Sequence, residues 1–128
     1  MTSRRKPGRR AVHESAQAYD GVDPRSRVER ILLLLSNKDT AEILGVSSSQ
    51  PSRWKRGQER VSAASLPAVI DLDYVVSRIL AEWAPEAAKL WLAGSEPHLL
   101  GARPIDVMIL RGPLAVIPAL DAIHAGAL

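Results

Sequence analysis

The sequence predicts an all-α protein, a small helical bundle, and three observations carry that expectation. No segment alternates apolar and polar residues convincingly with a period of two. Apolar residues recur instead at spacings of three and four. Prolines stand where such segments begin and glycines where several of them end, which is the asymmetry of helices: the first turn does not need the N–H that proline lacks, and the end often needs a positive φ.

Taken in order, residues 1–22 mix arginine, glycine, proline and small polar residues without an apolar period, and read as a disordered basic tail. Asp23 followed by Pro24 is a helix start, the aspartate capping free N–H groups. The first helix runs to about Leu35, with Val28, Ile31, Leu32 and Leu35 on the core side, Leu33 and Leu34 widening that face, and Arg27 and Arg30 opposite. A short second helix spans about 38–44 and stops at Gly45. Ser47 or Ser48 caps a third, which reaches Lys55 or Arg56 and closes at Gly57. The longest helix covers about 66–83, its face made by Leu66, Val69, Ile70, Val76, Ile79, Leu80 and Trp83. Pro85 opens a helix ending near Leu92, Pro104 another to Leu110, and a last runs over about 113–124, with Pro118 a kink or a late start. The division expected is a tail at 1–22, a unit at 23–83 and a second helical unit at 84–128.

Charge also changes along the chain. Residues 1–10 carry +5, residues 11–60 carry +1 and residues 61–128 carry −3, within a net charge of +3. A polyanion such as nucleic acid is drawn to the first half, because neutralised phosphates release counterions. The chain has no cysteine, hence no disulfide framework and no thiolate metal site. The longest apolar run, residues 31–35, is far short of the roughly 18 needed to span a bilayer, and the arginine-rich start lacks the apolar segment of a secretory signal. A cytoplasmic protein without a membrane partner is the expectation.

Residues 40–57 carry the sharpest local pattern, a helix-turn-helix. Such a pair needs a small residue where its helices touch, a glycine in the turn and an apolar residue after it, and Ala41, Gly45 and Val46 supply them. The outward side of the second helix offers Ser48, Ser49, Gln50, Ser52 and Arg53 to base edges or phosphates, with Lys55 and Arg56 adding charge. Trp54 points inward as a core anchor, and Pro51 is expected to distort the start of this helix. Catalysis has no support. His13, His98 and His124 are scattered, and Asp71 and Asp73, two apart on one helix, point about 200° apart and cannot share a proton. No cofactor is expected.

The stretch 91–108 resembles the signature of the Xre/MbcA/ParS-type antitoxins: Trp91-Leu92, then Pro97, Leu99 or Leu100, Gly101 and Pro104, leading into a short apolar helix. With the helix-turn-helix, the resemblance covers about 31–128. It implies an antitoxin that neutralises an NAD-consuming RES-domain toxin. The C-terminal unit would contact the toxin through Trp91, Arg103, Pro104 and the following residues, and Ala125, Gly126, Ala127 and Leu128 would block the toxin active site. The chain departs from that pattern in Ala93-Gly94-Ser95-Glu96, where an asparagine-rich turn is common, and at 109–114. Autoregulation through operator DNA is expected with it, as is a homodimer within a larger complex, because residues 31–35 are apolar on more than one side. A plain transcriptional regulator with a protein-interaction domain is the alternative.

Overall fold

The computed structural model describes residues 22–126. The expected tail, apart from Val22, lies outside the described residues, as do Ala127 and Leu128. The described chain is helical throughout: α1 (Pro24–Leu34), α2 (Asn37–Leu44), α3 (Gln50–Lys55), α4 (Leu66–Glu82), α5 (Pro85–Ala93), a 3-10 turn (Pro97–Leu99), α6 (Pro104–Arg111), a second 3-10 turn (Pro113–Val116) and α7 (Ile117–His124). No strand occurs among the described residues.

The ends of these helices follow from local chemistry. The Asp23 carboxylate accepts the Arg25 N–H at 3.0 Å, and Ser36 Oγ accepts that of Asp39 at 3.0 Å. Gly45 closes α2 in the left-handed region at φ 72, and the Val46 N–H reaches back to the Ala41 carbonyl at 3.0 Å. Pro67, Pro85, Pro104 and Pro118 all sit in first turns, where a missing N–H leaves no bond unmade. Pro118 thus marks a late start to α7, after the 3-10 turn, and no kink is needed.

One apolar cluster holds the helices together. It joins Val28 and Ile31 of α1, Trp54 of α3, Val69, Leu72, Val76 and Ile79 of α4, Leu92 of α5, Met108 of α6 and Leu120 of α7. Each large aliphatic member contributes about 1.5–3 kcal/mol by leaving water. α1 and α4 make the most extensive pairing, and α5 packs on both. The core therefore runs unbroken across position 83/84.

Two features of α1 differ from expectation. Leu33 does not widen the core face; it is 71% exposed. Arg27 and Arg30 do not project into water on the far side but converge on Asp73 of α4, itself 2% exposed. Arg27 Nη1 donates to Asp73 Oδ2 at 2.9 Å, while Arg30 Nε and Nη2 donate to Oδ1 and Oδ2 at 2.6 and 2.7 Å. The α1 helix is so closely covered by α4 that even its flank is enclosed, and a charge there needs a partner.

Candidate DNA-facing and protein-facing surfaces

The helix-turn-helix is formed by α2, the turn at 45–49, and α3. Ala41, 2% exposed, lies where small size allows close approach, and Trp54, 1% exposed, anchors α3 in the core as expected. Pro51 is buried in the first turn of α3 and does not kink it. The helix is instead short, six residues, with Ser48 and Ser49 in the turn ahead of it and no side-chain cap.

Of the residues expected to face DNA, Ser48, Ser49, Lys55 and Arg56 are exposed, and Gln50, Ser52 and Arg53 are half-buried. Gln50 and Arg53 are gripped from within the chain. Gln50 Nε2 donates to Glu59 Oε2, Arg53 Nε donates to Glu59 Oε1 at 3.0 Å, and Arg53 Nη1 donates to Ser49 Oγ at 2.7 Å. The hydrogen bond from Arg53, then that from Gln50, holds the Glu59 carboxyl below its ordinary 4.5. Arg25 is a second residue that sequence reasoning did not single out. Its Nε donates to the Lys55 carbonyl at 2.7 Å, which sets a cation at the C-terminal end of α3. Gly57 makes room for it: φ is +75, and a Cβ there would lie 2.9 Å from Arg25 Nη1.

In the C-terminal half, Glu96 is the centre of the loop between α5 and α6. It is 5% exposed and accepts from Trp91 Nε1 at 2.8 Å and from the His98 backbone N–H at 2.6 Å, and pairs with His98 Nδ1 at 2.8 Å. Trp91 also stacks on Trp83, with ring centroids 5.0 Å apart. The loop closes through Glu96 N to the Ala102 carbonyl at 3.1 Å and Gly101 N to the Glu96 carbonyl at 2.9 Å. Trp91 is half-buried, with its indole N–H and its stack on Trp83 tying it to this loop.

Burial by itself would raise the Glu96 carboxyl, but the bonds from the His98 N–H, the Trp91 indole and the His98 ring outweigh it and leave it below 4.5. A carboxyl lowered in the folded state adds stability above its unfolded pKa and loses it as pH falls through the folded value. Thermal unfolding between about pH 6 and pH 3 should therefore lose a step of stability below about 4.5 that Glu96→Gln does not lose. Equal acid sensitivity in the two proteins would count against this role.

Leu100, at the loop's outer end, is 99% exposed and takes the left-handed region at φ 58, ψ 33. That conformation costs a residue with a Cβ roughly 1 kcal/mol, and the side chain gains nothing from burial. Leu100→Gly should leave stability to urea unchanged or raise it by up to about 1 kcal/mol, since glycine's extra freedom when unfolded offsets part of the relief. A loss of more than about 1 kcal/mol would refute the assignment.

The remaining residues assigned to the protein-facing side follow this loop or lie beyond α7. Arg103 is exposed and forms a two-bond pair with Asp106, at 2.7 and 2.8 Å, over the first turn of α6, while Pro104 is buried. Arg103 also borders a groove of about 510 Å³ with Leu32, Leu33, Leu92 and Ile105. Ala125 and Gly126 are exposed beyond α7, Gly126 N donating to the Ile123 carbonyl at 2.9 Å. Ala127 and Leu128 lie outside the described residues. His124 pairs with Glu82 at 2.7 Å, and no cluster of His, Asp and Glu suited to a metal occurs among the described residues. No described helix is long and apolar enough to cross a membrane.

No family model and no curated protein matches the sequence. The fold is similar to that of a chain in the crystal structure of the M. tuberculosis MbcT–MbcA toxin–antitoxin complex, with a TM-score of 0.68 and 21% identity, over 81% of this chain and 96% of that one. The two share a fold. At that identity the likeness is one of architecture.

Proposed function

We propose that this chain is an antitoxin of the MbcA kind, which binds and neutralises a cognate RES-domain toxin that consumes NAD. The observation that carries the reading is the shared fold over 96% of a chain of a toxin–antitoxin complex, in a sequence whose residues 91–104 bear the antitoxin-like signature. The residues proposed for toxin contact are Arg103 and the segment Ala125 to Leu128, the latter blocking the toxin active site. The proposed surface also takes in Trp91, which is half-buried, and Pro104, which is buried at the start of α6. In this reading the chain does no chemistry of its own and takes no cofactor. Leu33, the exposed member of the 31–35 run, is the part of α1 left for a second copy in a homodimer.

The test is to purify the chain with a RES-domain protein encoded beside it. Co-elution and arrest of NAD consumption are expected; NAD consumption that continues at saturating antitoxin would overturn the reading.

DNA binding through α3 is proposed as the second task. Lys55 and Arg56 are exposed cations beside Arg53, and Arg25 adds a third at the end of the helix. Arg53→Ala with Lys55→Ala should weaken binding to the operon's own upstream DNA and flatten its salt dependence by about one to two units of slope. Unchanged affinity would mean that the motif serves as scaffold. The plain-regulator alternative would keep this result and lose the NAD result.

A further inference from the structure

Four side chains on the outer side of the helix-turn-helix form one hydrogen-bonded unit. Glu59, on the loop after α3, takes the amide of Gln50 on one carboxylate oxygen and the Nε of Arg53 on the other, and Ser49 Oγ takes one N–H of Arg53 Nη1. A guanidinium has five N–H groups. Two are used here, and the end of the fork remains open, with one N–H on Nη1 and two on Nη2. Gln50 likewise keeps its carbonyl and its second N–H. An open guanidinium end suits the two acceptors of a guanine edge, and an amide with one donor and one acceptor suits an adenine edge.

We propose that Glu59 is a positioning residue for base reading: it holds Gln50 and Arg53 in a fixed arrangement in which their open hydrogen-bonding groups meet matching base edges, and as a negative charge it lowers affinity for every duplex alike. The inference rests on the reading that α3 contacts DNA. Its physical content has two parts, the first setting the ratio of matched to unmatched binding and the second the overall affinity. Side chains already held need not be ordered on binding, so a matched base pair gains their full hydrogen bonds. The carboxylate repels every phosphate backbone alike, so it lowers affinity for all duplexes by the same factor and leaves the ratio of matched to unmatched binding unchanged. The held geometry therefore carries the preference for a matched site, and the charge lowers overall affinity.

The experiment is selection from a pool of randomised duplexes by the full chain, in its natural form and as Glu59→Gln, Arg53→Lys and Arg53→Ala, with affinity for one fixed random-sequence duplex measured beside it. Glu59→Gln keeps the size of a side chain that is 37% exposed, and thermal unfolding checks that the fold is kept. The natural chain should enrich a defined sequence. Glu59→Gln should enrich it about tenfold less while binding the random duplex as tightly or more tightly. Arg53→Lys keeps the charge without the fork and should lose preference at the same base positions.

Equal enrichment by the natural chain and Glu59→Gln would overturn the proposal, and loss of enrichment in Arg53→Ala would then still leave α3 as the reading helix. A Glu59→Gln chain weakened equally on all duplexes, with a lowered melting temperature, would also overturn it, as a structural role alone. If the natural chain enriches nothing, DNA reading by α3 fails and this role fails with it.

Discussion

Replacing Asp73 by Asn should lower the stability of the folded chain by about 3 kcal/mol, the largest effect expected of any single substitution outside the apolar core. Asp73 is 2% exposed and is the point where Arg27 and Arg30 of α1 meet α4. Removing one charge from a buried pair costs about 3–5 kcal/mol, because the opposite charge stays in a place that water cannot easily reach. The low end applies here, since the Arg30 side chain is 42% exposed and can turn to solvent, whereas Arg27 is 7% exposed. In a domain of about 100 residues, a loss of that size shifts the melting temperature by roughly 12 to 24 °C. Urea unfolding of Asp73→Asn beside the natural chain measures it. A change below about 1 kcal/mol would show that the network is worth little against its own desolvation.

Removing residues 125–128 should weaken toxin inhibition at least about tenfold, equivalent to about 1.4 kcal/mol of interaction, and leave the melting temperature nearly unchanged. The two halves of this prediction have separate grounds. Ala125 and Gly126 are exposed, belong to no part of the core and only extend the end of α7, so the fold does not depend on them. The functional half follows from the proposal that this segment blocks the toxin active site. Titration of the RES-domain protein's NAD consumption with both forms decides it. If the shortened chain inhibits as well as the full one, active-site blocking is wrong; if it still co-elutes with the toxin, the binding surface lies elsewhere, and the exposed Arg103 is the next residue to replace.

The same contrast between local and distant causes separates what was legible in the sequence from what was not. Asp23 and Pro24, Ser36, Gly45 and the prolines of the later helices act within one turn of themselves, through caps, missing N–H groups and positive φ, so helix order and the helix-turn-helix follow from the sequence alone. The inward position of Trp54 follows from helical spacing in the same way. The surface chemistry does not. Arg27 and Arg30 read as solvated because α1 taken by itself has a polar flank, and only the packing of α4 across 43 to 46 residues of sequence brings Asp73 to them. Gln50 and Arg53 read as free donors because nothing in α3 announces Glu59, which belongs to the following loop. Trp91 carried a recognisable signature, but its stack on Trp83 and its bond to Glu96 depend on how α5 turns back after α4. Periodicity and capping are properties of a few neighbouring residues and determined the helices of this chain. Which charges are paired, which donors remain open and which aromatic rings stack were decided only when helix faces met, because burial and the low dielectric that comes with it exist only in the packed molecule.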